Sequence, residues 1–477
     1  MKNKLFAIIL IPIAIITIVL CYSYFFVYHI TLKGSDIENV QINSEYIDKG
    51  VRIKYQNQII TKYETKSNVD TSKIGEYYIE YICGNGIARR VVRVIDNIPP
   101  TIELTNGDIE INYNEEFIDP GYVVNDNYDN DLNDKVIVSG NVDTTKLGEY
   151  TIKYEISDSN NNKTIKERKV VVKDSEKPNI TFKGGLNAYA IKGKKINLND
   201  FTAIDNYDGD ITNKVEIKSK VNFNKVNKYE VTYTVSDSNN NIETVKRVIN
   251  VQEKNTSGIP VLMYHWFYDD TKGEKPGPVN SHNYISKTNI EKQVKYLKDS
   301  NFYFPTWKEL EDYIDGKIDL PKKSVIITDD DCVGSFFKVA YPVFKKYQVP
   351  VTSFCITKKN NWQKYLGKEY LDFQSHTDSL HDRICNTYWD GAVMCSSYDK
   401  IYNDIKKSIS KINNNDAFAY PFGHYSDDTI KALKNNGIKL AFTIQEGRVR
   451  KGLNKYKLPR VRMSAGTTLE QFKRAVN

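Results

Sequence analysis

Histidine, tryptophan, methionine and cysteine are all scarce in this chain of 477 residues, with six, four, four and six of each. No two cysteines stand in a C-x-x-C pair, so zinc fingers and zinc ribbons are excluded. Cys21, Cys83, Cys332, Cys355, Cys385 and Cys395 are too scattered for the dense disulfide framework of a small secreted scaffold. A single bridge between Cys385 and Cys395 is the one pairing the spacing invites. A concentrated basic segment is missing too. The 67 Lys and Arg oppose 60 Asp and Glu, and the net +7 is spread along the chain, which makes nucleic acid a poor partner.

One long uncharged apolar run does exist, LFAIILIPIAIITIVLCYSYFFVY at residues 5–28. It has about the 20 apolar residues a helix needs to cross a bilayer. Lys2 and Lys4 precede it and the next basic side chain is Lys33, so the positive-inside bias leaves the N-terminus in the cytoplasm and the rest outside. The run outlasts the core of a cleavable signal peptide and ends in Tyr24, Phe25, Phe26 and Tyr28 instead of small residues. Residues 1–29 therefore read as a cytoplasmic stub and a single-pass anchor in the cell membrane.

A chain this long needs several cores. Residues 30–253 repeat themselves: Gly75-Glu76-Tyr77, Gly148-Glu149-Tyr150 and Asn227-Lys228-Tyr229 each open an alternating apolar run, and Asp126-Asn127-Tyr128-Asp129 returns as Asp205-Asn206-Tyr207-Asp208. Period-2 alternation with frequent turn residues, in units of about 70 to 80 residues, indicates small antiparallel β-sandwiches at 30–96, 97–174 and 175–253. They resemble the immunoglobulin-like domains of bacterial surface proteins, which implies spacers or weak binding modules. The Asp clusters at 126–131 and 205–210 read first as turn formers, with calcium ligation through oxygens as the alternative.

From residue 258 strands alternate with helices. Thr288 with Glu291 and Thr306 with Glu309 have capping-box spacing, and Ile401, Ile405, Ile409 and Ile412 share one helix face. Apolar strands VIIT (325–328), VTSFCI (351–356) and LAFTI (440–444) lie between helices. Repeated βα units over 258–477 predict a parallel sheet or distorted (β/α) barrel with its site at the C-terminal ends of the strands. The fold expected is thus multidomain: a membrane helix, tandem all-β sandwiches, then an α/β barrel.

Five of the six histidines follow residue 258. Strand 325–328 runs into Asp329-Asp330-Asp331, carboxylates that packing alone does not call for. His376 and His381 stand five residues apart after a later strand. One carboxylate and two imidazoles leave an open position for water, which suits a catalytic zinc site, with Co2+, Mn2+ or Ni2+ as other divalent candidates.

VLMYH (261–265), VIITDDDCVGSF (325–336), SHTDSLH (375–381) and FAYPFG (418–423) occur in the order found in polysaccharide deacetylases, carbohydrate esterase family 4. The stretch 258–477 resembles that family throughout, and most of all its poly-N-acetylglucosamine branch. The resemblance implies Asp330 as catalytic base, Asp331, His376 and His381 as metal ligands, and His265 as general acid. It also implies that Pro421-Phe422-Gly423 holds the oxyanion through the Phe422 N–H. Three positions depart from the pattern: Asp329 replaces the usual Phe, Cys332 the usual Gly, and Ala417 and Phe418 stand where an Arg normally steadies the base. Arg460 or Arg462, in LPRVR, would have to supply that charge. Trp266, Trp307, Trp362 and Trp389 include candidates for a sugar-stacking platform, Trp389 first among them for its closeness to His381. His282 reads as a solvated side chain, and His424 borders the Pro loop.

The expected function is deacetylation of N-acetylglucosamine in peptidoglycan, because an anchor and three spacers hold the enzyme near the wall. Secreted poly-N-acetylglucosamine is the alternative substrate. An inactive glycan-binding or adhesive protein is the reading of another class.

Overall fold

The computed structural model describes residues 14–19 and 27–477, except 57, 279–280, 360, 384 and 386–390. Most of the expected anchor lies outside the described residues. Residues 14–19 are helical, and no described helix is long and apolar enough to cross a membrane. The chain divides into two compact units, residues 1–176 and 177–477.

The first unit contains two repeats. In the second of these, Gly148–Ser157 and Lys163–Lys173 form a long antiparallel hairpin flanked by Ile137–Ser139 and Ile109–Asn112, while Thr101–Leu104 and Tyr122–Asn125 make a smaller opposing sheet. Burial follows the period of two, with Ile152, Tyr154 and Ile156 inward. The expectation of purely antiparallel sandwiches needs correction. Ile109–Asn112 pairs parallel to Lys163–Lys173, and Ile37–Gln41 pairs parallel to Gly86–Ile95 in the first repeat. The strand that enters each sheet edge arrives from the other sheet, so its direction is set by that crossover and not by a hairpin.

The repeats also bury a charge that alternation alone does not announce. Arg168 is fully buried beside Tyr154, donating to the carbonyls of Thr105, Gly107 and Gly121 at 2.7 to 2.9 Å. Arg90 occupies the matching place in the first repeat, donating to the Lys33 and Gly50 carbonyls.

The second unit begins with the third repeat, whose Asn227–Ser236 and Ile242–Gln252 hairpin repeats the same pattern around buried Arg247. This repeat packs directly on the α/β domain. Tyr189 Oη donates to the Phe302 carbonyl at 2.9 Å, and Lys194 pairs with Asp319 at 2.7 Å.

Seven parallel strands follow: β1 (Val261–Tyr264), β2 (Ile326–Asp330), β3 (Val351–Cys355), β4 (Leu371–Ser375), β5 (Ala417–Ala419), β6 (Leu440–Glu446) and β7 (Leu458–Arg462). They pair in chain order, and β7 returns to β1 to close a barrel. Parallel strands need covering on their outer faces. Helices α1 (Lys287–Asp299), α2 (Trp307–Ile314), α3 (Tyr341–Tyr347), α4 (Tyr398–Ile412), α5 (Asp427–Asn435) and α6 (Leu469–Val476) provide apolar faces such as Ile290, Val294 and Leu297. The Thr306–Glu309 capping box forms as the spacing predicts. The Thr288–Glu291 box does not: Ser286 caps α1 by accepting from the Asn289 N–H, and the Thr288 N–H is already bound to Asp270.

Candidate active site

Strand β2 is buried along its whole length, and at its end the backbone turns sharply. Asp331 and Cys332 both have left-handed φ, 72° and 55°. Each such residue costs about 1 kcal/mol or more unless it is glycine. Cys332 thus sits at a conformation for which glycine is the easy choice, in keeping with the glycine that the family resemblance leads one to expect there. The turn separates the three carboxylates. Asp330 faces into the barrel, Asp331 sits over its mouth, and Asp329 lies between strands β2 and β3, accepting from Ser353 Oγ at 2.8 Å.

Arg460 on β7 is fully buried and grips Asp330 with both arms, Nη1 to Oδ1 and Nη2 to Oδ2, each at 2.7 Å. Its Nε donates to the Thr443 carbonyl at 3.0 Å, which fixes the fork. Burial alone would raise the Asp330 pKa, but the guanidinium more than offsets it and holds the carboxyl well below the usual range. Asp329 has no such partner. Burial drives its pKa well up, which favours the neutral acid. Of the two candidate arginines, Arg460 therefore takes the place of the one missing before the Pro loop.

His265 follows β1, with Nε2 3.9 Å from Asp330 Oδ2. Burial lowers its pKa, and the charges of Asp330 and Asp331 pull partly the other way. His376 follows β4 and its Nδ1 lies 2.7 Å from the Ala419 carbonyl, which leaves Nε2 toward Asp331. Burial and the neighbouring His381 push its pKa down to about 4, so the ring is neutral and able to donate a lone pair. His381 Nε2 reaches Asp331 Oδ1 at 3.1 Å. Donor atoms of Asp331, His376 and His381 lie within 4.8 Å of one another, and Asp331 Oδ1 is buried with no hydrogen-bond partner. An orphaned carboxylate oxygen facing two imidazoles fits a divalent cation of the zinc class.

Pro421, Phe422 and Gly423 form a short turn in which Phe422 has φ 57°. Its ring lies 4.7 Å from that of His381, tilted by 47°. Gly423 is required there: with φ 77°, an added Cβ would come within 2.5 Å of the Ile444 side chain and 2.9 Å of its backbone nitrogen.

The other aromatic and histidine candidates separate. Trp389 lies outside the described residues. Trp362 and Trp307 are buried, the latter donating to Asp372 at 3.1 Å, while Trp266 is half-buried beside His265. His282 is exposed, as expected, and His424 Nδ1 accepts from the Gly391 N–H at 3.1 Å. Cys385 and Cys395 are bonded, and Cys332 pairs with Cys355, a bridge the sequence spacing did not suggest.

Asp404 was also missed. From α4 it accepts the N–H groups of Asp378 and Ser379 at 2.7 and 2.8 Å, and so anchors the loop between His376 and His381. The available signal was an acid on the apolar Ile401–Ile405 face of a helix.

Comparison with known proteins adds to this geometry. Residues 102–172 and 180–251 match the bacterial surface protein Ig-like domain, and residues 317–441 match the polysaccharide deacetylase family. A poly-β-1,6-N-acetyl-D-glucosamine N-deacetylase of Staphylococcus epidermidis is 36% identical over 199 residues, covering 38% of this chain and 68% of the relative. The Staphylococcus aureus protein of the same name is 32% identical over the same length and shares. Among solved structures, a Streptococcus pyogenes deacetylase in complex with acetate aligns with 24% identity and TM-score 0.38, covering 46% of this chain and 100% of that one.

Proposed function

Since the chain belongs to the polysaccharide deacetylase family and is an enzyme of that class, we propose that it hydrolyses the N-acetyl groups of a poly-β-1,6-linked N-acetylglucosamine. This reverses the order expected from the sequence. Peptidoglycan was favoured by location alone, and most of the anchor on which that rests lies outside the described residues. The relatives that match over most of their length carry the β-1,6 polymer in their names. We further place the catalytic domain outside the cell, tethered through residues 5–28.

The observation that carries the chemistry is the pair of carboxylates at the end of β2, one gripped by Arg460 and the next facing His376 and His381. Asp331, His376 and His381 would hold the divalent metal. When bound, such an ion lowers the pKa of water to about 7 and polarises a carbonyl.

Asp330, kept ionised by Arg460, accepts the proton of the water that attacks the acetyl carbonyl. The Phe422 N–H supports the developing oxyanion, a contribution of about 3 kcal/mol in comparable sites. His265 gives a proton to the departing sugar amine, so acetate leaves and the C–N bond breaks. The reading as an inactive adhesin loses its grounds, because Arg460 supplies the missing charge and Cys332 adopts the turn that glycine would.

The test is acetate release from β-1,6-linked N-acetylglucosamine oligomers and from β-1,4-linked muropeptides by the zinc-loaded chain. Faster release from the β-1,6 oligomers is expected. A preference for muropeptides would return the substrate to the wall, and no release from either would refute a glycan deacetylase of this specificity.

A further inference from the structure

The acidic turns of the second and third repeats divide their work between two oxygens. Asp126 Oδ1 accepts from the Tyr128 and Asp129 N–H groups at 3.0 and 2.8 Å and closes the turn, while its Oδ2 is shut off from solvent with no partner. Asp205 does the same one repeat later. Its Oδ2 accepts from the Tyr207 and Asp208 N–H groups, both at 2.9 Å, and its Oδ1 has no partner although the residue is only 4% exposed. A second acid faces each of them. Asp158 Oδ1 accepts from the Asn160 and Asn162 N–H groups, and Asp237 Oδ1 accepts from those of Asn239 and Asn241.

In the second repeat a third carboxylate joins, that of Asp96, which follows the last strand of the first repeat, Gly86–Ile95. Oxygens of Asp96, Asp126 and Asp158 lie within 4.8 Å of one another, as do those of Asp205 and Asp237. Among the described residues none of these five acids has an ion pair with Lys or Arg. Turn formation explains one oxygen of Asp126 and of Asp205 and leaves the other unexplained. A buried carboxylate oxygen without a partner is costly, and so is the mutual repulsion of clustered anions. A cation relieves both.

The donors are all oxygen, with no imidazole or thiolate, which selects a hard ion. The side-chain amides of Asn127 and Asn160 also face Asp96, with Nδ2 at 3.0 and 3.4 Å from its oxygens. Rotating either amide by half a turn exchanges nitrogen for oxygen at nearly the same place. That supplies two more ligands toward the six to eight that calcium takes.

We propose that Asp96, Asp126 and Asp158 form a calcium site joining the first repeat to the second, and that Asp205 and Asp237 mark its copy in the third. The ion ties Asp96, just before the linker Asn97–Pro100, to the turns of the following repeat. Calcium at extracellular concentration then stiffens the spacer. These sites are separate in ligand chemistry from Asp331, His376 and His381.

The test is calorimetric titration of the full chain, stripped by chelator and reloaded with zinc, with calcium chloride. Two ions per chain are expected, with Kd of about 10−4 to 10−3 M as in extracellular modules. Asp126→Asn keeps an oxygen for the turn and should lose one ion; Asp205→Asn should lose the other. Asp96→Asn, outside both turns, should match Asp126→Asn, and it carries the test if that variant misfolds by circular dichroism. Calcium should also protect the linker Asn97–Pro100 from proteolysis in the wild type and not in Asp96→Asn. No uptake by about 10 mM, unchanged uptake in the variants, or uptake abolished by His381→Ala would each overturn the proposal.

Discussion

The repeats and the barrel both bury an arginine completely, and they use it differently. Arg168 ends on three backbone carbonyls and a tyrosine, with the Asp119 carboxylate 3.5 Å away, partners that join the loops of its own sandwich. Arg460 ends on a carboxylate whose other neighbour is His265. The first arrangement organises loops around a point charge; the second sets the protonation state of a group at the mouth of a barrel. Burial of a charge therefore says little about function until its partner is named.

The sharpest way to break this contrast is to remove the proton acceptor. Asp330→Asn should cut acetate release by about 10² to 10⁴ fold, the usual range for a general base, with zinc content by mass spectrometry unchanged. Asp329→Asn should stay within about threefold, because burial favours the neutral form of Asp329 and its carboxyl is bound to Ser353. Equal damage from both would mean that the two carboxylates share the role.

Next in size is Arg168→Met, which strips three buried carbonyls of their donor. A loss of about 3 to 5 kcal/mol is expected for breaking such a site, read as a separate low-temperature transition in calorimetry. Activity on short oligomers should not change. Arg460→Met leaves the buried Asp330 carboxyl without its partner and should also cost stability, but it alone should change the pH profile. Without the guanidinium, burial raises the Asp330 pKa, and the acid limb of the rate profile moves to higher pH.

Much of this was legible in the sequence, for physical reasons that vary by element. Alternation of period two exposed the repeats because one face of each strand is dry, as Ile152, Tyr154 and Ile156 show. A triple carboxylate at a strand end and two histidines five residues apart drew attention, the family resemblance singled out Asp331, His376 and His381, and the structure brings these three together. The parallel strand in each sandwich was not legible, since pairing direction depends on a crossover that local pattern does not encode. Arg168 was hidden in KERKV, where charges read as a solvated face. Arg460 was only one of two candidates, because strand β7 lies 130 residues from Asp330 and only barrel closure brings them together.

A smaller effect tests the Pro loop. Gly423→Ala places a methyl against the Ile444 backbone at a left-handed φ, strain of about 1 to 3 kcal/mol. The loop should shift, lowering kcat by about tenfold or more while zinc content holds, since none of the metal-binding side chains is on it. An unchanged kcat would separate Phe422 from the oxyanion.

The smallest expected effect concerns the third repeat, the point where the two kinds of domain meet within one compact unit. Asp319 lies between Lys194 of the repeat and Lys451 of the barrel domain, at 2.7 Å from each. Hydrogen bonds from these two lysines pull its pKa down to about 2. The folded pKa is below the unfolded one, so the unfolded state binds the extra proton as pH falls. The stabilisation is present above about pH 4 and is lost between about pH 4 and 2. Because the pair faces solvent, screening limits it to about 1 kcal/mol or less. Asp319→Asn should therefore lower Tm slightly at pH 7 in low salt, and the difference should vanish near pH 2 or in molar salt. A loss that persists in both conditions would show that Asp319 acts through packing and not through charge.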